Sequence, residues 1–130
     1  MYQNKQFLKQ LQALLMAHPD MTWESDGSEP MQPVRLAWHR LYDKTKSGYT
    51  RWGQEPDGDA EDRLTYQADN DVENGHMADL KAMFSGKQLI SIKREQIGQP
   101  NPEHPIYYDL YILARFGWWY VGFRTKLIET

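Results

Sequence analysis

The end of the chain constrains the fold more than anything before it. "IYYDLYILARF" (106–116) and "WWYVGFRTKLIE" (118–129) are two runs of β-branched, aliphatic and aromatic residues, and only Gly117 separates them. That pattern is a β-hairpin with a tight turn near Arg115–Trp118. A lone two-stranded hairpin is marginal in water, so the rest of the chain has to supply neighbouring strands and a covering layer. The second strand runs on to Glu129 and Thr130, and a strand in that position ties down an end of chain that ordinarily frays.

Helical and strand signals alternate upstream. From Asn4 to about His18, the residues Phe7, Leu8, Leu11, Leu14, Leu15 and His18 share one helical face, and Pro19 stops the helix. "MTW" (21–23) reads as a short strand and "ESDGSEP" (24–30) as a loop of acids and turn formers. "PVRLAWHRLY" (33–42) alternates Val34, Leu36 and Trp38 like a strand, yet also sets Val34, Ala37, Trp38 and Leu41 on one helical face. Ten residues do not separate the two periods. Residues 43–48 form a turn, 49–52 and 63–67 read as short strands, and 55–62 as a loop between them. Met77, Leu80, Met83 and Phe84 mark a short helix over 75–84, closed by Ser85-Gly86. Residues 88–97 read as a strand, and "GQPNPEHP" (98–105) as a rigid connector. The order predicts an α+β fold in one domain, 1–130, with helices against a mainly antiparallel sheet ending in the hairpin.

The charge is unevenly placed. Net charge is −3. From Glu55 to Glu73, however, eight carboxylates face one arginine, giving −7 and leaving +4 for the remainder. A weakly acidic chain with one concentrated acidic segment suits a basic protein partner better than it suits direct contact with nucleic-acid phosphates. The five Trp and eight Tyr serve a core or an interface. With no cysteine there is no disulfide, no thiol chemistry and no thiolate zinc site. The N-terminal segment lacks the unbroken apolar stretch of a signal peptide, and no apolar run approaches the ~18 residues of a membrane span. These features describe a cytoplasmic protein, bacterial or phage-like.

Motifs for chemistry are sparse. No Gly-rich phosphate loop and no nucleophile elbow occur. His18, His39, His76 and His104 stand singly. "DGDAED" from Asp57 opens like a calcium loop, but its sixth place is Asp62 and its twelfth Ala68, where an EF-hand needs Gly and Glu. "DNDVENG" from Asp69 fails as well, with Asn74 at the sixth place. No catalytic residue, no cofactor and no metal of its own is expected, and the chain reads as a non-enzyme.

The tail carries a resemblance. Asp109-Leu110-Tyr111-Ile112, then a turn, then Val121-Gly122-Phe123-Arg124-Thr125-Lys126-Leu127-Ile128-Glu129-Thr130, resembles the end of the nuclease A inhibitor family. These are small cyanobacterial-type proteins that inactivate a sugar-non-specific nuclease. Near the N-terminus, "ESDGSEP" is similar to the family's Ser-acid-x-acid-x-Pro loop. One alignment puts Ser25-Asp26 and Pro30 on that motif; a shifted one puts Ser28-Glu29 and Pro33 there. The family continues into a strand, which favours a strand for 33–42. The likeness covers both ends of the chain, and 43–85 does not align.

The resemblance implies a three-layer α/β/α sandwich and a stoichiometric inhibitor, including an immunity protein against a toxin nuclease. Its target is a ββα-metal nuclease with Mg²⁺ in a basic cleft. In the family, the loop acid and the C-terminal Thr reach that metal centre, here Asp26 or Glu29, and Thr130. The partner-binding set is therefore Glu24, Ser25, Asp26, Glu29, Glu129 and Thr130. A carboxylate beside the ion imitates a substrate phosphate and blocks the ion's catalytic roles. Two other readings stand beside this one. The scaffold could serve as an interaction module for a non-nuclease partner with Trp118 and Trp119 as anchors, or as an enzyme whose His and carboxylate groups meet only in three dimensions.

Overall fold

The protein is described by a computed structural model over residues 2–71, 74–96 and 106–129. The hairpin is the longest feature of the fold. Strands β5 (Ile106–Phe116) and β6 (Trp119–Glu129) pair antiparallel over their full length, from Ile106↔Glu129 to Phe116↔Trp119. Two residues close the turn. Gly117 takes the first central position with φ 62°, where a type II′ turn needs glycine. Strand β3 (Gln32–Ala37) pairs with β6, and β4 (Leu89–Glu95) with β5, both antiparallel. The order β3-β6-β5-β4 puts the hairpin in the middle and the two shorter strands at the edges. Pro33 sits on an edge strand, the place a sheet tolerates proline. The free edge of β4 is capped at one point, where Ser91 and Asp57 exchange backbone hydrogen bonds.

Strand alternation sorts β5 and β6 onto two faces. Leu110, Ile112, Ala114, Val121, Phe123 and Leu127 point to the larger core. Helix α1 (Tyr2–Ala17) lays Phe7 and Leu11 on that face, α3 (Ala60–Asn70) adds Ala60 and Leu64, and α4 (His76–Phe84) adds Met77, Leu80 and Phe84. Edge-on ring contacts run through it, Phe7 to Phe84 at 5.1 Å and Phe84 to Phe123 at 5.8 Å. Each fully buried Leu or Phe contributes about 1.5–3 kcal/mol. On the opposite face, Ile92, Tyr111, Leu113 and Tyr120 meet Leu41, with Val34, Leu36, Trp38, Tyr42 and Trp52 partly buried around them. Burial, then the neighbouring Tyr120 hydroxyl, pushes the Tyr42 phenol above its ordinary pKa. The cover on this face is a single helical turn, α2 (Trp38–Leu41), with the irregular segment that follows it. The fold is α+β in three layers, with three helices on one side of the sheet and this thin layer on the other.

Three elements differ from the sequence reading. Residues 63–67 are helix, not strand, because Ala60, Leu64 and Gln67 are all buried at helical spacing and Glu61 and Asp62 favour the positive end of the helix dipole. Residues 49–52 are a turn in which Thr50 makes only an isolated bridge with Tyr42. The 24–30 loop contains strand, since β1 (Trp23–Glu24) and β2 (Ser28–Glu29) form a two-stranded hairpin. The ambiguous segment 33–42 is strand to Ala37 and helix from Trp38, so each period holds over part of it. The rigid connector expected over 98–105 lies outside the described residues.

Gly122 lies in the most densely paired part of β6, opposite Leu113 on one side and Val34 on the other. A Cβ there would overlap the Ile112 carbonyl oxygen and stand 2.9 Å from Leu113 Cα. Gly122→Ala should cost about 1–3 kcal/mol or more, as overpacking against backbone does. Gly27→Ala meets only the flexible Cδ1 end of Ile128, at 2.6 Å, and should cost less. Urea denaturation of both variants checks this: equal losses would contradict the strand geometry.

Candidate functional site

The site forms where β3 ends. Its pairing with β6 runs from Ala37↔Trp119 to Gln32↔Arg124, which leaves the edge of Thr125–Glu129 without β3. The 24–30 segment takes that edge. Pro30 O accepts from Thr125 Oγ1 at 2.9 Å, Ile128 O accepts from Asp26 N at 3.1 Å, and Ser25 Oγ accepts from Ile128 N at 2.9 Å. Ser25 therefore acts as a strand substitute at the end of β6. Trp23, just before the turn, is buried against Phe123 with ring centroids 5.6 Å apart.

The turn is also held from the other side. Gln67 of α3 is buried, and its side-chain amide pairs both backbone groups of Glu24: Oε1 accepts from Glu24 N at 2.9 Å and Nε2 donates to Glu24 O at 2.6 Å. The Glu24 carboxylate accepts from the Thr22 hydroxyl at 2.7 Å and the Ser28 hydroxyl at 2.6 Å, which closes the small hairpin upon itself.

Between this hairpin, α3, the start of α4 and the end of β6 lies an open groove of about 1050 Å³. Its apolar lining comes from Met21, Trp23, Met77, Leu127 and Ile128. Among the described residues, seven carboxylates line it: Asp20, Glu24, Asp26, Asp59, Asp62, Asp71 and Glu129. Arg63 is the only lysine or arginine among the described lining residues. Two more of the acids, besides Glu24, have structural duties. Asp71 accepts from Met77 N at 3.0 Å at the start of α4, and Glu129 pairs with Lys93 at 2.6 Å. Lys93 makes that contact while lying 4.2 Å from the Tyr108 ring centre. At the rim His76 stacks on His18, with centroids 3.6 Å apart.

The carboxylates are strung along the groove rather than converging. Among the described residues, no group of three or more His, Asp or Glu is arranged to hold a metal ion. The physical property of such a surface is a negative field spread over a concave wall, which attracts a basic surface and raises its encounter rate.

Of the residues singled out from sequence, Glu24, Ser25, Asp26 and Glu129 all line the groove. Glu29 pairs with Trp23 on β2 and is not part of the lining. Thr130 lies outside the described residues. Trp118 and Trp119 stand at the other end of β6, so they do not belong to this site. Sequence reasoning missed Gln67 and the groove wall of α3, and the signal available was the i, i+4, i+7 spacing of Ala60, Leu64 and Gln67. No helix among the described residues is long and apolar enough to cross a membrane.

Comparisons of the chain with family models, with curated proteins and with solved structures find no match.

Gln67→Ala should strip both backbone groups of Glu24 of their partners and destabilise the protein by about 1–3 kcal/mol. Ser25→Ala should mainly free the Ile128 amide, read as faster hydrogen exchange at that residue with little change in global stability. If Ile128 exchanges no faster in Ser25→Ala, the serine does not anchor the turn.

Proposed function

We propose that this chain is a stoichiometric protein inhibitor that docks its acidic groove and β1–β2 turn into the basic, Mg²⁺-containing cleft of a ββα-metal nuclease. The observation that carries the reading is the anchoring of Ser25-Asp26 on Ile128, which fixes the acid of a Ser-acid loop beside the end of β6 on the wall of an acidic groove. The two stretches that resemble the nuclease A inhibitor family, far apart in sequence, are neighbours in space. That juxtaposition also favours Asp26 over Glu29 as the loop acid, because Asp26 lines the groove and Glu29 does not.

The mechanism follows from the chemistry of the groups. The groove acids, foremost Asp59 just before α3 and Asp62 in its first turn, steer the basic cleft toward the protein and act mainly on the association rate. Asp26, at the tip of the turn, supplies an anionic oxygen where the nuclease would hold a phosphate. Mg²⁺ prefers such oxygen ligands, directly or through its waters. Because the turn is tied to β6 and to Gln67 in the free protein, little ordering entropy is lost on docking. The resemblance gives Thr130 the same role as Asp26.

Mixing the protein with a panel of ββα-metal nucleases at equal molarity should abolish DNA cleavage by its target. Cleavage unaffected across the whole panel would sink the reading. Asp26→Asn should weaken inhibition by about 2 kcal/mol or more, roughly thirtyfold, mostly through faster dissociation. Asp59→Asn with Asp62→Asn should slow association and flatten its dependence on salt, with little change in dissociation. A version extended by a tag after Thr130 separates the two reaching groups. Weakened inhibition assigns a role to Thr130, and unchanged inhibition leaves it to Asp26.

A further inference from the structure

The far end of β6 has the opposite chemistry. At ~3.4 Å per residue, the path from Trp119 to Glu129 spans about 34 Å, so the hairpin tip is well separated from the acidic groove. Beside the tip lies a second cleft of about 620 Å³, between the first turn of α1, residues 86–88 and the β5–β6 turn. Ligand-sized clefts run from ~300 to ~1000 Å³. Lys87 and Arg115 line it, with Trp118 and Trp119, and so do Gln3, Asn4 and Gln88, of which Gln3 and Gln88 are exposed. None of its described lining residues is a carboxylate.

The aromatic groups are arranged as a platform. Trp118 is 72% exposed, an unusual state for the largest side chain. It is supported edge-on by Trp38, with centroids 6.0 Å apart, and Trp118 O accepts from Trp38 N at 2.7 Å. Arg35 lies over Trp119, 4.3 Å from the ring centre, and donates through Nη1 to Asn4 Oδ1 at 3.2 Å. Arg115 Nε donates to Gly117 O at 3.1 Å, which fixes its guanidinium beside the turn. The whole-chain charge of −3 hides this pole, because the −7 of residues 55–73 outweighs it.

We infer that the Trp118–Arg115–Lys87 cleft at the hairpin tip binds single-stranded nucleic acid, with a base stacked on Trp118 and the backbone phosphates met by Arg115 and Lys87. An exposed, propped indole flanked by cations is the stacking platform that single strands use without regard to sequence. The exposed amides of Gln3 and Gln88 offer donors and acceptors to base edges, which an acidic peptide does not present and a flat anionic membrane surface cannot bring into a cleft. This inference does not rest on the inhibitor reading, since it uses none of the groove residues.

The test is fluorescence anisotropy of a labelled oligothymidylate of about 12 nucleotides, within the reach of a small single-strand-binding domain. The whole protein is titrated in at about 50 and 200 mM salt, with poly-glutamate and phosphatidylserine vesicles as competitors. Saturable binding that weakens with salt is expected. Trp118→Ala should weaken it by about tenfold, the scale of one lost base stack. Lys87→Gln with Arg115→Gln should flatten the salt slope by about 1.4 for two lost phosphate contacts. The exposed position of Trp118 leaves folding of its variant intact, and circular dichroism checks this. No binding at the lower salt overturns the inference. So does unchanged affinity in Trp118→Ala, or displacement of the oligonucleotide by poly-glutamate or by vesicles at matched charge; the latter two would reassign the cleft to an acidic protein or a lipid surface.

Discussion

Everything in this fold leans on the two edges of β6. One edge is paired with β5 from end to end. The other is shared, with β3 holding Trp119 to Arg124 and the β1–β2 segment holding the rest through Thr125 and Ile128. A buried strand cannot leave its backbone groups unpaired without a cost of about 1–3 kcal/mol each. The short β3 therefore obliges some other part of the chain to complete the edge. The segment that does so is the acidic turn, and the groove is a consequence of that completion.

The same strand explains the separation of charge. Carboxylates collect around its end and cations around its start, so the modest net charge is a sum of two poles. α3 accounts for much of the negative pole, because its helical form turns Asp62, Tyr66 and Asn70 toward the groove, beside Asp59 at its start, while Leu64 and Gln67 are buried. As the strand expected from sequence, residues 63–67 would have pointed alternate side chains to opposite faces and built no such wall.

The hairpin, α1 and α4 were legible because their periodicities are long and their stops are marked by Gly117, Pro19 and Gly86. α3 was not, for one reason: its core position at Gln67 carries a polar side chain. An amide inside a helix pattern reads as surface until its partners are known, and here those partners are the two backbone groups of Glu24, forty-three residues earlier in the chain. The site was half legible in the same sense. The resemblance drew attention to Ser25, Asp26 and Glu129, but a motif carries no statement of which residues share an edge. Ser25 looks like any turn serine until Ile128 is seen beside it. The switch from strand to helix at Trp38 was illegible because the chain alternates and recurs at helical spacing over the same ten residues, and only the end of β6 pairing at Ala37↔Trp119 decides where the strand stops.

A groove lined by seven carboxylates has a cost in the free protein, since like charges on one wall repel and oppose the compact state. Two of the internal contacts do little to offset it. The Lys93–Glu129 pair is half-exposed and worth at most about 1 kcal/mol, and the hydroxyls on Glu24 neutralise nothing. What holds the wall in place is apolar and backbone structure behind it: Trp23 against Phe123, Leu64 in the core, and the edge of β6. The fold thus holds its crowded charges in place from behind. Under the proposed function that crowding is useful, because repulsion carried by the free protein is relieved when a basic cleft covers the groove. The relief adds to the docking energy without any contact having to be made in advance.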